Sequence, residues 1–152
     1  MTAPDEIAII DRVIARARKA QLAFETSGSQ EQYDQAAQAV GWAIMEPTRN
    51  RSLAELAVQT TGLGNVADKI TKNHRKTLGL LRDIADAKTY GIISDDPATG
   101  ITEIARPLGV VGAVVPSTNP AATPANNIPT VADTRKAITH STSPHGIPSN
   151  DP

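Results

Sequence analysis

The chain has 152 residues, one domain by length, with 15 basic and 16 acidic residues and a formal charge of -1. So even a balance gives no electrostatic case for nucleic acid or an anionic membrane, and no apolar run is long enough to span a bilayer. Cysteine is absent, which removes disulfides, thiolate metal sites and any sulfur nucleophile. Aromatics make up only 3% of the chain, so a core is expected to rest on Ile, Leu, Val and Ala.

Residues 5–25 place Ile7, Ile10, Val13, Ile14, Ala17 and Phe24 at helical spacing, which predicts one buried stripe. Charged residues break that run, so it reads as an amphipathic helix rather than a secretory signal, and the cytoplasm is the expected location. Ser29 with Gln32 has the form of a capping box and opens a helix over 30–45, with Tyr33, Ala36, Ala37, Val40 and Ile44 on its apolar face. Ser52 with Glu55 repeats that form before a short helix over 52–60, closed by Thr61-Gly62-Leu63-Gly64. A longer helix is expected over 66–90, from a start at Asn65 and Asp68 to a stop at Gly91. Its cluster Lys69, Lys72, His74, Arg75 and Lys76 reads as a solvated face or as an anion-binding one.

After Gly91 the pattern changes. Residues 92–94 and 101–106 predict two short strands joined by turn formers. Residues 108–115 are apolar and β-branched between Pro107 and Pro116, as in a strand buried on both faces of a parallel sheet. Partners for that strand are expected further along, where little pattern remains. Residues 129–152, rich in Pro, Ser and Thr, are expected to be a disordered tail. The abrupt change at Ile128–Pro129 has the look of an out-of-frame or incomplete reading frame. His140 and His145 fall in that stretch, far from His74, so no metal site is expected. Asp5-Glu6 and Asp95-Asp96 read as a helix start and a turn, not as a catalytic carboxylate pair.

The stretch Ile101-Thr102-Glu103-Ile104-Ala105-Arg106-Pro107-Leu108-Gly109-Val110-Val111-Gly112-Ala113-Val114-Val115-Pro116-Ser117-Thr118-Asn119-Pro120 closely resembles the CoA-acylating branch of the aldehyde dehydrogenases. Thr61-Gly62-Leu63-Gly64 and Asp68-Lys69-Ile70-Thr71-Lys72-Asn73-His74 match two further motifs of that branch, in the same order. Within it the wording is nearest to the acylating sulfoacetaldehyde dehydrogenases, over residues 1 to about 128.

The resemblance implies an α/β fragment: an N-terminal helical region, a short β-hairpin and the first strand of an incomplete NAD(P)-binding domain. The intact family uses NAD or NADP and CoA and acts on a small aldehyde. A cysteine thiolate attacks the aldehyde, a hydride passes to NAD(P), and CoA captures the thioester. With no cysteine, these residues alone are expected to be inactive and to bind the cofactors poorly. Asn119 is the residue that the resemblance suggests for an oxyanion contact. Counting from Pro116 gives Thr118 instead, and Asn119 also suits a turn before Pro120. Val115, Pro116, Ser117 and Thr118 are implied to line the nicotinamide. Two other accounts stand beside this one: a module pairing as a hetero-oligomer with a full-length relative, and a helical protein with no present role.

Overall fold

The computed structural model of the chain describes residues 3–26, 28–133 and 137–142. Four helices come first: α1 (Ala3–Thr26), α2 (Gln30–Met45), α3 (Pro47–Thr61) and α4 (Val66–Ile84). A hairpin follows, β1 (Ile92–Asp96) and β2 (Ile101–Ile104), then β3 (Val110–Val115), α5 (Ala122–Asp133) and β4 (Ala137–Thr142). β1 and β2 pair antiparallel, and β3 and β4 pair parallel. The architecture is the expected α/β one, mostly helical.

The α1–α2 corner is fixed by close approach. Ser29 and Gln32 form the capping box in both directions, at 3.4 and 3.2 Å. Tyr33, one residue on, is fully buried. It meets Phe24 edge-on at 5.0 Å, and its hydroxyl donates to the Phe24 and Glu25 carbonyls. A Cβ on Gly28 would lie 1.7 Å from the Tyr33 hydroxyl oxygen, so only glycine leaves room for the ring. The α1 stripe is buried only in its second half, at Ala17, while Ile7 and Ile10 are exposed.

α3 begins earlier than residue 52. Pro47 takes the first helical position, where a missing N–H costs nothing. The Glu46 carboxylate caps the turn by accepting from the Thr48 and Arg49 amides at 3.0 and 2.9 Å. Ser52 therefore sits inside the helix and donates back to the Thr48 carbonyl, and Glu55 faces Arg51 at 3.9 Å. Gly62, at φ 66, ends α3 in the left-handed cap that glycine adopts without strain.

α4 opens as expected, with the Asn65 side chain accepting from the Asp68 amide at 2.9 Å. It stops at Ile84 rather than near residue 90. Gln30 captures the following segment, accepting from the Thr89 amide at 2.8 Å and donating to the Ala87 carbonyl and the Thr89 hydroxyl. These bonds take backbone groups that a longer helix would need.

The hairpin turns at residues 97–100, and β1 extends to Asp96. The Asp96 carboxylate accepts from the Thr99 hydroxyl and the Ala98 amide. Those two bonds, in that order, hold its carboxyl below the usual range. Every residue of β1 and β2 is exposed.

β3 is not the fully buried strand its composition suggests. Val115 is buried, but Val114 is 79% exposed. A parallel strand is sealed only when helices cover both faces along its length, and although α1 and α5 pack against β3, they leave Gly112 and Val114 exposed. Its partner lies in the stretch expected to lack pattern: β4 runs beside it in register from Val110↔Ala137 to Val115↔Thr142. α5 likewise passes residue 128 and continues to Asp133. Pro129 stands inside α5 and is fully buried, so packing outweighs the roughly 3 kcal/mol that an interior proline costs. Residues 134–136 and 143–152 of the expected tail lie outside the described residues.

The core is mostly small-sided: among the described residues, Ala17, Ala37, Ala54, Ala57, Ala122 and Ala125 are buried, with Tyr33, Val115 and Pro129 as the larger buried side chains. α2 packs against α3, α4 and α5, and α3 against α4. Alanines permit that closeness, as does Gly41, where a Cβ would meet Leu81 Cδ1 at 2.5 Å. The Ile and Leu residues expected inside lie largely outside, among them Leu22, Leu56 and Leu108. Among the described residues, no helix is long and apolar enough to cross a membrane.

Candidate functional site

A parallel strand, a helix and a second parallel strand leave a loop at the carboxyl edge of the first strand, where open α/β sheets take their ligands. Here that loop is Pro116–Pro120, between β3 and α5. It is a tight turn: the Asn119 amide donates to the Pro116 carbonyl at 3.1 Å, the i to i+3 bond of a β-turn. The Asn119 carbonyl then accepts from the Thr123 amide at 3.2 Å, which ties the turn to the start of α5. Prolines at both ends fix φ and narrow what the loop can do.

The implied residues are thus together in space but differ in surroundings. Val115 is buried under α5, Pro116 and Thr118 are exposed, and Ser117 and Asn119 are half-buried. The Asn119 side chain has two recorded partners. Its Oδ1 accepts from the Lys72 ammonium of α4, and its Nδ2 approaches the Thr118 hydroxyl at 3.4 Å. Lys69, Lys72 and Asn73 of α4 line a small recess together with Thr118, Asn119 and Pro120. The basic cluster is therefore divided by direction rather than by burial: Lys72, exposed like His74, Arg75 and Lys76, is the one bonded to the loop, and Lys69 is half-buried beside it.

Beneath Lys72 the helix is anchored by buried polar groups. Asn73 and Asn50 are 3% and 2% exposed. Asn73 Nδ2 donates to Asn50 Oδ1 at 3.0 Å, and Asn50 Nδ2 donates to the Ile70 carbonyl at 3.0 Å. This pair locks α3 to α4 at the level of the loop. Sequence reading missed both asparagines and Lys72 as partners of the site, although Lys72 and Asn73 stand inside the quoted motif. Nothing in helical spacing shows which lysine of a cluster meets a loop 47 residues away. Among the described residues, no group of three His, Cys, Asp or Glu side chains is placed to hold a metal ion.

No family model matches the chain. It is 59% identical over 134 residues to the acylating sulfoacetaldehyde dehydrogenase of Cupriavidus necator, an alignment covering 88% of this chain and 27% of that enzyme. An acetylating aldehyde dehydrogenase from Geobacillus thermoglucosidasius superposes with a TM-score of 0.87 at 33% identity, covering 93% of this chain and 31% of that one. Propionaldehyde dehydrogenase of Rhodopseudomonas palustris, solved with bound CoA and an acylated cysteine, gives a TM-score of 0.70 at 25% identity over 90% of this chain and 30% of that one. The chain spans about a quarter to a third of the length of these relatives.

Proposed function

We propose, for a chain that belongs with the N-terminal part of the CoA-acylating aldehyde dehydrogenases, that a whole protein built on it oxidises sulfoacetaldehyde to its CoA thioester. The supporting observation is the 59% identity over 134 residues to an enzyme of that name. These 152 residues alone do not carry out the reaction. Acyl transfer through an enzyme thioester needs a sulfur nucleophile, and the sequence holds no cysteine.

What this part contributes is one wall of the site. The Asn119 amide, held half-buried on a turn between two prolines, is a neutral donor fit to meet a negatively charged oxygen. Thr118, whose hydroxyl stands beside it, is the alternative donor. NAD or NADP, where bound, accepts the hydride of the oxidation. Pro116, Ser117 and Thr118 suit one edge of its nicotinamide, since they follow a parallel strand at the side where dinucleotides lie, whereas the Val115 side chain is fully buried and supports the loop from below. They do not suit its pyrophosphate. No glycine occurs from Ala113 to His145, so the close backbone approach that glycines permit there has to come from other residues of the whole protein.

The test is a chimera in which residues 1–128 replace the aligned segment of the Cupriavidus necator enzyme. Its kcat/KM for sulfoacetaldehyde should exceed that for acetaldehyde and propionaldehyde. Equal or reversed preference would reject the substrate, and loss of all aldehyde oxidation by a folded chimera would reject the reaction.

A second reading has one observation in its favour. Ile92, Ile101 and Ile104 of the hairpin and Val114 of β3 are exposed apolar side chains, which suit pairing with a full-length relative. Sedimentation of the chain mixed with such an enzyme checks it: one faster complex supports pairing, and two independent boundaries exclude it.

A further inference from the structure

The geometry points to Lys72 as a positioning residue that decides which end of the Asn119 amide faces the reacting oxygen. This rests on the reading of Asn119 as the oxyanion donor. An asparagine amide has two chemically opposite ends, Oδ1 that only accepts and Nδ2 that only donates. A half-turn about the last torsion exchanges them at almost no steric cost. A donor site therefore needs something that tells the ends apart.

The backbone of Asn119 is already pinned on both sides, by the Pro116 carbonyl at 3.1 Å and the Thr123 amide at 3.2 Å. The side-chain torsions are what remain free. The Lys72 ammonium donates to Oδ1. An ammonium has three donors and no acceptor, so the flipped amide would set Nδ2 against Nζ, donor against donor. The Thr118 hydroxyl, at 3.4 Å from Nδ2, can donate or accept and so could meet either end of the amide, whereas the charge-assisted bond, roughly twice as strong as a neutral one, fits only one orientation and sets the choice. That choice leaves an Nδ2–H turned away from Lys72 and open to a developing negative oxygen.

Lys72 is exposed, but its place on the helix is fixed. Its neighbour Asn73 is buried and bonded to Asn50, which sets the register of α4 under it. Asp68, one turn earlier and the nearest carboxylate in sequence, is engaged by Asn65 at 2.6 Å. Among the described residues Lys72 makes no ion pair, so Asn119 has no carboxylate competitor there.

The experiment uses the chimera described above with K72M, K72R, N119A and the double variant K72M/N119A. N119A should lower kcat about 100- to 1,000-fold, as for loss of one oxyanion donor. K72M should lower it about 10- to 100-fold, the range known for groups that orient metal ligands through a hydrogen bond and carried over here to an oriented amide, with KM for CoA unchanged. K72R, still a donor, should restore most of the loss. In the N119A background K72M should cost nothing more, which a merely structural lysine would not show. Wild-type kcat in N119A rejects the oxyanion reading itself. Impaired N119A with unaffected K72M, or losses that multiply in the double variant, overturns the role of Lys72. Should the chimera fail to fold, the 152-residue chain labelled with nitrogen-15 asparagine decides. K72M should shift the Asn119 side-chain amide signals and leave those of Asn65 in place, and unmoved Asn119 signals overturn the proposal.

Discussion

Replacing Asn73 by alanine removes the donor that satisfies Asn50 Oδ1 in a site almost closed to water. The lost bond is 3.0 Å long, and Asn50 is 2% exposed. The acceptor left behind therefore has no solvent to turn to. An orphaned buried polar group costs about 1–3 kcal/mol, a sizeable share of the roughly 5–15 kcal/mol that holds a domain together. With a urea m-value of about 2 kcal/mol/M, a loss near 2 kcal/mol lowers the unfolding midpoint by about 1 M at unchanged m. N50A should cost at least as much, since Asn50 also donates to the Ile70 carbonyl at 3.0 Å. Because the two residues share one bond, the double variant should cost less than the sum of the singles. Urea titration followed by circular dichroism reads all three. A midpoint shift under about 0.25 M for N73A, or strict additivity in the double variant, would refute the view that this pair locks α3 to α4.

Three more outcomes follow from the packing. Thr77 is fully buried, and its hydroxyl has no recorded partner among the described residues. T77V should thus be neutral or stabilising by up to about 1 kcal/mol, and a clear loss in thermal melting would show an unrecognised bond. G28A must displace the Tyr33 ring, whose hydroxyl lies 1.7 Å from the new Cβ, and should cost about 1–3 kcal/mol with a weakened near-ultraviolet tyrosine signal; an unchanged signal and midpoint would contradict it. The Glu46 carboxyl is held below its ordinary range by the Arg49 and then the Thr48 amide. A carboxyl depressed in the folded state contributes stability above its unfolded range and loses it as pH falls through the folded one. E46Q should flatten the acid limb of the wild-type stability curve, and parallel curves would remove Glu46 from the account.

Local signals in the sequence were legible where one residue pair decides the structure. The Ser29–Gln32 capping box, the Gly62 stop and the Asn65 start need only neighbours within a turn, and all three are present. The signals that misled were local forms overruled by longer contacts. Ser52 and Glu55 have the shape of a cap, but Pro47 with the Glu46 carboxylate starts the helix earlier. The pattern over 66–90 continues past Ile84, yet Gln30, far back in the chain, takes the next backbone groups. The loss of pattern expected from residue 129 on does not hold for the end of α5, because Pro129 reads locally as a helix stop, while its burial inside a helix that runs on to Asp133 is a tertiary fact. The site divides the same way. The turn at Pro116–Pro120 follows from its prolines, whereas the meeting of Lys72 with Asn119 depends on how α4 is seated.

The central claim is chemical: acyl transfer to CoA through an enzyme-bound thioester requires a sulfur nucleophile from the protein, and these residues supply none. Incubating the purified 152-residue chain with sulfoacetaldehyde, CoA and NAD or NADP, and following the CoA pool by mass spectrometry, should leave CoA unacylated. Sulfoacetyl-CoA accumulating in step with chain concentration, in material free of full-length enzyme, would contradict it.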